Sequence, residues 1–226
     1  MPGRNSIKQY ISNGYYHIYN RGVEKRLIFQ DEQDYSVFLG YLKEYLTPKN
    51  EKGLRMRLSD PNISSKERDR VLKSLRMNNF ADEITLLAYC LMPNHFHLFI
   101  KQKSANSIDK FMRSLCTRYT MYFNKKYKRV GSLFQSVYKA VSILNESQFL
   151  HLSRYIHKQA LASQGESLED QPCSYKEYLG LRKTEWVKPD EVLSYFSTTN
   201  PTLSYESFIK EGEDIDYIKN IRIEED

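Results

Sequence analysis

The segment at residues 84–100, ITLLAYCLMPNHFHLFI, decides the fold because a Pro-Asn pair separates two apolar runs of strand length. Such a pair predicts a tight turn between two strands. In the second run, His95 and His97 point to one face of the strand and Phe96 points to the other. Neutral imidazoles are common ligands of divalent cations. The segment therefore holds a candidate metal site, and the alternative is a histidine pair on a half-exposed strand.

Other strand and helix patterns flank this segment. Residues 15–20 alternate like a strand, and apolar residues at helical spacing follow over 35–46. The same rules predict a helix over 107–127, a strand over 133–144 and a helix over 146–162. This order, with helices that can all cover one face, predicts an α+β sandwich around an antiparallel sheet.

Length and composition indicate one principal domain. The chain has 226 residues, of which 40% are hydrophobic, enough for one good core. We predict a domain over 1–162, with a charged surface insertion at 48–79, and a helical C-terminal appendage over 163–226 with an acidic end. The sequence lacks an apolar run of roughly 20 residues, a secretory signal pattern and a CxxC pair. These features predict a cytoplasmic protein with no membrane partner.

Basic charge is concentrated directly after the histidine pair. Residues 101–140 hold ten Lys or Arg and one acidic residue, whereas residues 211–226 hold seven acidic residues and two basic ones. Aromatic side chains are interleaved with the basic ones, a combination that suits phosphate neutralisation and base stacking. The alternative is a solvated helix face. Proximity to the candidate metal site favours nucleic acid.

A second constellation, YIHKQ at residues 155–159, lies on the last predicted helix of the domain. Tyr155 and Gln159 are four residues apart and share one helical face. A tyrosine hydroxyl can attack a phosphodiester and leave a covalent phosphotyrosine. Because the unperturbed pKa of tyrosine is about 10, this reaction needs a cation on the phosphate. The two histidines and the Gln159 oxygen can hold that ion, and the alternative is ordinary packing with a solvent-facing amide.

Four stretches together resemble the single-tyrosine HUH transposases, in particular the REP-associated tyrosine transposases of bacteria. They are YHIYNRG at 16–22, LMPNHFHL at 91–98, GSLFQ at 131–135 and YIHKQ at 155–159. The REP-associated members often have Asn-Pro where this chain has Gln-Ala, and insertion-sequence relatives have Gln.

The resemblance implies a ferredoxin-like core and assigns roles to four residues. His95, His97 and Gln159 become ligands of Mg²⁺ or Mn²⁺, and Tyr155 becomes the nucleophile. Family-type chemistry nicks single-stranded DNA beside an imperfect hairpin and leaves a 5′-phosphotyrosine and a free 3′-hydroxyl, without ATP. His17 is expected to line the site, and His151 and His157 are expected to be surface or packing residues.

Six residues are candidates for DNA contact. Two end the first strand and four belong to the basic stretch: Asn20, Arg21, Arg113, Arg118, Lys125 and Lys126.

The leading hypothesis is a metal-dependent transposase that nicks and rejoins single-stranded DNA at hairpin ends. The alternatives are a domesticated, non-catalytic binder of DNA hairpins and a small HUH relaxase or replication initiator. Both monomers and homodimers occur among the proteins that the chain resembles, so both states stay open.

Overall fold

The computed structural model describes residues 10–162 and 172–211. Four strands are present in this part of the chain: β1 (Tyr15–Arg21), β2 (Ile84–Met92), β3 (His95–Gln102) and β4 (Lys139–Ile143). Eight α-helices accompany them: α1 (Glu32–Leu46), α2 (Glu51–Leu58), α3 (Ser65–Arg76), α4 (Ser107–Lys126), α5 (Glu146–Ala162), α6 (Tyr175–Tyr178), α7 (Asp190–Leu193) and α8 (Tyr205–Lys210). None of these helices has both the length and the apolar character needed to cross a membrane.

The strands form one sheet in the order β2-β3-β1-β4, and every neighbouring pair is antiparallel. Apart from the inserted helices α2 and α3, the chain order is βαββαβ, which is the connectivity of a ferredoxin-like sandwich. The predicted α+β class with an antiparallel sheet is confirmed. The Pro-Asn pair joins β2 directly to β3, as the sequence indicates.

Helices cover both faces of the sheet, whereas the sequence predicts helices on one face. Phe96, Leu98 and Ile100 of β3 pack in a core with α1 and α4, on what we call the α4 face. Phe99 packs with α5 on the opposite side, which we call the α5 face. Nearly every residue of β2 and β3 is buried. Near-continuous apolar strands of this kind require cover on both sides.

The C-terminal residues pack into the core of the α5 face. Tyr178 and Tyr205 join Leu152 and Ile156 of α5 in one apolar cluster. The segment before α6 also pairs with the outer edge of β2, because Cys173 forms an isolated antiparallel bridge with Cys90. The helical character predicted for the C-terminal appendage is confirmed in its described residues by α6, α7 and α8. The domain boundary at residue 162 stays a prediction.

The structure adds detail to two predicted segments, the insertion at 48–79 and the strand at 133–144. The predicted surface insertion at 48–79 holds two helices, α2 and α3, which are capped by Asn50 and Ser64. The strand predicted over 133–144 is regular only in β4, because residues 133–135 bond to the turn after β1 instead. There Phe134 forms an isolated bridge with Gly22, and the chain then bends before β4 begins.

Candidate active site

The histidine pair of β3 lies on the α5 face, between two neighbouring strands. His95 is opposite Arg21 of β1, and His97 is opposite Tyr19 of β1 and Cys90 of β2. The two imidazole centroids are 4.9 Å apart. His97 is fully buried and His95 is half-buried. The predicted sharing of one face by the two histidines is thus confirmed.

A third histidine, His17 of β1, orients His97. Its Nε2 lies 2.8 Å from Nδ1 of His97, and the two rings are stacked. The bond occupies one nitrogen of His97 and leaves Nε2, which is buried without a hydrogen-bond partner in the described residues. A buried polar atom in that condition costs free energy unless a ligand satisfies it. This nitrogen therefore fits a metal ligand, oriented as metal-binding histidines are by an outer partner.

His95 has a similar arrangement. Its Nδ1 lies 2.6 Å from Oδ1 of Asn94, so Nε2 is the nitrogen that is left for a ligand. Burial, with a smaller contribution from the nearby charge of Arg21, lowers the pKa of His95 to about 4. Burial also holds the pKa of His97 well below its ordinary value, with smaller effects from His17, His95 and Arg21. Both imidazoles are therefore neutral at pH 7, which is the form that binds cations.

Tyr155 reaches the histidines from α5. Asn145 caps this helix by accepting a hydrogen bond from the backbone of Gln148. Leu152, Tyr155 and Ile156 recur at helical spacing and are buried against the sheet. The Tyr155 ring centroid lies 5.4 Å from that of His97 and 5.9 Å from that of His17, edge-on to both rings. One chain thus brings the predicted nucleophile to the predicted metal pair.

Gln159 lies one helical turn beyond Tyr155 and is half-buried. Its side chain makes no hydrogen bond within residues 10–162 and 172–211. Over the same residues, no group of three or more His, Cys, Asp or Glu side chains is arranged to hold a metal. An ion held by His95 and His97 would therefore need an amide, water or phosphate oxygen to complete its ligands, and Gln159 is the candidate from this chain.

Arg21 and Asn20 are neighbours on β1 but belong to different faces. Arg21 lies on the α5 face near His95, and its buried Nε has no hydrogen-bond partner in the described residues. Asn20 is 4% exposed, donates to the carbonyl of Ser136 and accepts from the backbone N–H of Arg21. Arg21 can meet a phosphate at the histidines, whereas Asn20 holds main chain together on the α4 face.

The four basic candidates on α4 are separated from the histidines by the sheet, because α4 covers the opposite face. Arg118 is paired with Glu44 at 2.5 Å, and Lys126 is paired with Asp31 and Asp34, each at 2.7 Å. Arg113 and Lys125 are exposed. The basic stretch is therefore close to the histidine pair in sequence but not in space, and its contact with DNA stays a prediction.

Three other tyrosines make hydrogen bonds on the α4 face. Tyr119 is fully buried and donates to the carbonyl of Ile28 at 2.6 Å. Tyr122 and Tyr127 donate to the carboxylate of the buried Asp34, at 2.9 and 2.7 Å. None of these hydroxyls reaches the histidines of the α5 face.

Comparison with known proteins places a family match on this region. Residues 54–159 match the family model described as Transposase IS200 like. A REP-associated tyrosine transposase solved with a REP hairpin is similar over 88% of this chain and 96% of its own, at 11% identity and a TM-score of 0.45. A candidate transposase from Deinococcus radiodurans R1 is similar over 69% and 97%, at 16% identity and a TM-score of 0.28. No curated protein matches. The family match confirms the resemblance carried by the sequence motifs.

Proposed function

Starting from the match of residues 54–159 to the IS200-like transposase model, we propose that this protein nicks and rejoins single-stranded DNA through a phosphotyrosine at Tyr155. The observation that carries the proposal is the buried, partnerless Nε2 of His97 beside the Tyr155 ring. The hairpin substrate follows from the motif resemblance to REP-associated transposases.

The chain offers three ligands for Mg²⁺ or Mn²⁺. His95, His97 and the Gln159 amide would hold the ion, and the bound ion would polarise the scissile phosphate and stabilise the charge that develops on it. His17 fixes the ring of His97 from behind. The guanidinium of Arg21, which already lies near His95, adds positive charge for a phosphate oxygen.

In the proposed reaction, the Tyr155 oxygen attacks phosphorus and loses its proton, while the bond from phosphorus to the 3′-oxygen breaks. The leaving 3′-oxygen takes up a proton. One phosphoester replaces another, so the energy of the broken bond is conserved in the phosphotyrosine. Attack by a 3′-hydroxyl on that linkage reverses the step and rejoins DNA without ATP.

A covalent-adduct assay tests this function. Protein is incubated with Mn²⁺ and end-labelled single-stranded hairpins from the DNA flanking its gene, then resolved on a denaturing gel. We expect a labelled protein band with wild type that is lost with EDTA and in Tyr155→Phe, and retained in Tyr119→Phe. Tight hairpin binding without an adduct in any metal would reject the enzyme and favour a non-catalytic hairpin binder.

We further propose that the protein acts as a monomer, with Tyr155 used in cis. The support is that Tyr155 and His97 of one chain are already adjacent. Mixing Tyr155→Phe with His97→Ala chains should then leave cleavage at the level of either variant alone. Restoration of cleavage in the mixture would instead require a homodimer that exchanges α5.

A further inference from the structure

The C-terminal segment contacts α5 on a different side of the helix from the one that carries Tyr155. His157 is fully buried there, and both of its ring nitrogens are hydrogen-bonded. Nδ1 lies 2.7 Å from the hydroxyl of Tyr205 on α8, and Nε2 lies 2.8 Å from the hydroxyl of Ser174, directly before α6. One imidazole thus ties α5 to two parts of the C-terminal segment.

Ser174 connects His157 to the main chain of β2. Its oxygen accepts from the backbone N–H of Tyr89 at 2.9 Å, and its hydroxyl donates to the Tyr89 carbonyl at 3.3 Å. With the Ser174 hydrogen on the Tyr89 carbonyl, Nε2 of His157 donates to Ser174 and the Tyr205 hydroxyl donates to Nδ1; in the other neutral tautomer, Ser174 donates to Nε2 and Nδ1 donates to Tyr205. Either neutral tautomer completes a chain of bonds from the main chain of β2 to α8.

Further contacts fix the same stretch of α5. The His157 ring packs edge-on against Tyr178, with centroids 4.6 Å apart. On the outer side, the guanidinium of Arg154 lies 3.5 Å from the ring centre of Phe208. Lys158 donates to the backbone carbonyl of Glu211 at 2.8 Å. The residues on either side of Tyr155 in sequence are thus held by the C-terminal segment.

We infer that His157 is a positioning residue, which sets the rotation and height of α5 over the sheet and thereby places the Tyr155 hydroxyl at the histidines. The inference rests on the proposed role of Tyr155 as nucleophile. It assigns the segment from Ser174 to Glu211 a part in the reaction, because this segment supplies both hydrogen-bond partners of His157. A displacement of about 1 Å at a reacting atom can cost about 100-fold in rate.

A hydroxyl-deletion pair tests the inference in the full chain. Tyr205→Phe removes the bond to Nδ1, whereas the control Tyr175→Phe removes a hydroxyl from the same aromatic cluster but not from the chain of bonds. We expect Tyr205→Phe to slow single-turnover adduct formation by about 10–100-fold with hairpin Kd unchanged, and Tyr175→Phe to leave both unchanged. His157→Phe should slow the reaction at least as much, and His157→Gln, which can keep the donor to Ser174, should recover part of the rate.

A second measurement decides the inference even if no adduct forms. Tyr155 is replaced by 3-fluorotyrosine, and its ¹⁹F resonance is compared among these backgrounds without DNA. We expect one line in wild type and in Tyr175→Phe, and a shifted or divided line in Tyr205→Phe and His157→Phe. An unchanged ¹⁹F line in both of the latter variants would overturn the positioning role. Absence of an adduct in wild type together with the expected ¹⁹F shifts would reject the transposase chemistry and leave the positioning of Tyr155 standing.

Discussion

On the α4 face, Phe96 packs against Phe38 and Phe134 with ring centroids 5.3 and 5.9 Å away, and its side chain is 0% exposed. On the α5 face, its neighbour His97 is equally buried, yet one of its nitrogens has no partner in the described part of the chain. The same strand therefore presents a closed apolar surface on one side and an unsatisfied polar atom on the other.

The buried charge of the α4 face sharpens this contrast. Asp34 is 0% exposed and accepts hydrogen bonds from Lys126, Tyr122, Tyr127 and the backbone of Gln30. The Asp34 carboxylate is thus satisfied by hydrogen bonds within the protein, whereas Nε2 of His97 has no hydrogen-bond partner in the described residues. An unsatisfied buried polar group costs about 1–3 kcal/mol. We infer that the α4 face mainly stabilises the fold. On the α5 face, the unsatisfied nitrogen of His97 lowers stability, and we infer that it is kept because the reaction uses it.

The largest expected effect is on the α5 face. His97→Ala removes the proposed central metal ligand, so we expect adduct formation to fall by about 1,000-fold, or about 4 kcal/mol in the barrier. The free energy of unfolding should change much less, because the lost ring was incompletely satisfied. Single-turnover assays and urea unfolding measure the two quantities. Cleavage within tenfold of wild type would contradict the metal role of His97.

Phe96, the residue before His97, should affect the free energy of unfolding more than adduct formation. Phe96→Ala opens a cavity in the α4 core, so we expect the free energy of unfolding to fall by at least about 3 kcal/mol. At temperatures where the variant stays folded, adduct formation should remain near the wild-type rate. Urea denaturation provides the stability value. A loss below about 1 kcal/mol would mean that the α4 face is not the main stabilising core.

His17 should affect metal affinity without abolishing it. His17→Ala removes the partner that orients His97, and loss of such a partner lowers metal affinity by about 10–100-fold. Calorimetric titration with Mn²⁺ measures the change. His151→Ala, a half-buried histidine of α5 that packs against Phe208, serves as the control and should bind Mn²⁺ like wild type. Equal affinity in His17→Ala would show that the bond to His97 has no role in metal binding.

Between pH 7 and pH 5, the α5 face should lose stability before the α4 face does. Burial lowers the pKa of His157 to about 3, so the neutral form stabilises the fold above the unfolded pKa of about 6.5, and this contribution is lost as pH falls. Between pH 7 and pH 5 we expect its loss to cost about 2 kcal/mol. Asp34 of the α4 face should not add to this loss, because its pKa is lowered from an ordinary value that already lies below pH 5.

Urea unfolding of wild type and His157→Phe at both pH values measures this difference. The variant should lose less stability than wild type between pH 7 and pH 5. Identical pH dependence in the two proteins would contradict a buried neutral His157.

The smallest effect concerns the basic residues of α4. Lys125→Ala should reduce the slope of log K against log salt for DNA binding by about 1 and leave stability unchanged, because Lys125 is exposed. Lys126→Ala is the matched comparison. It should lower stability instead, because it leaves Asp34 without its cation. Unchanged salt dependence in Lys125→Ala would exclude this end of α4 from the DNA interface.

The sequence predicts the parts of the site that depend on local periodicity. The shared face of His95 and His97 follows from strand alternation, and the helical face of Tyr155 and Gln159 follows from their spacing. The bond from His17 to His97 could not be predicted, because it depends on the register of β1 against β3. The separation of Arg113 and Lys125 from the histidines was missed for a similar reason, since adjacent elements in sequence can cover opposite faces of a sheet.

The same limit applies to the C-terminal segment. The helical character of this segment was predictable, whereas the hydrogen bond between Tyr205 and His157 joins residues 48 positions apart. No local pattern identifies such a pair. The buried state of His157 was one of two predictions for that residue, and the structure selects packing over surface exposure.

Identification of the residue that bonds to DNA tests the central claim most directly. Protein that has reacted with a short hairpin oligonucleotide and Mn²⁺ is digested with protease and nuclease, and the phosphorylated peptide is sequenced by tandem mass spectrometry. Of the 18 tyrosines in the chain, we predict modification at Tyr155 alone. Modification at Tyr119, Tyr122, Tyr127 or Tyr138 would place the chemistry elsewhere and contradict the assignment of the active site to the α5 face.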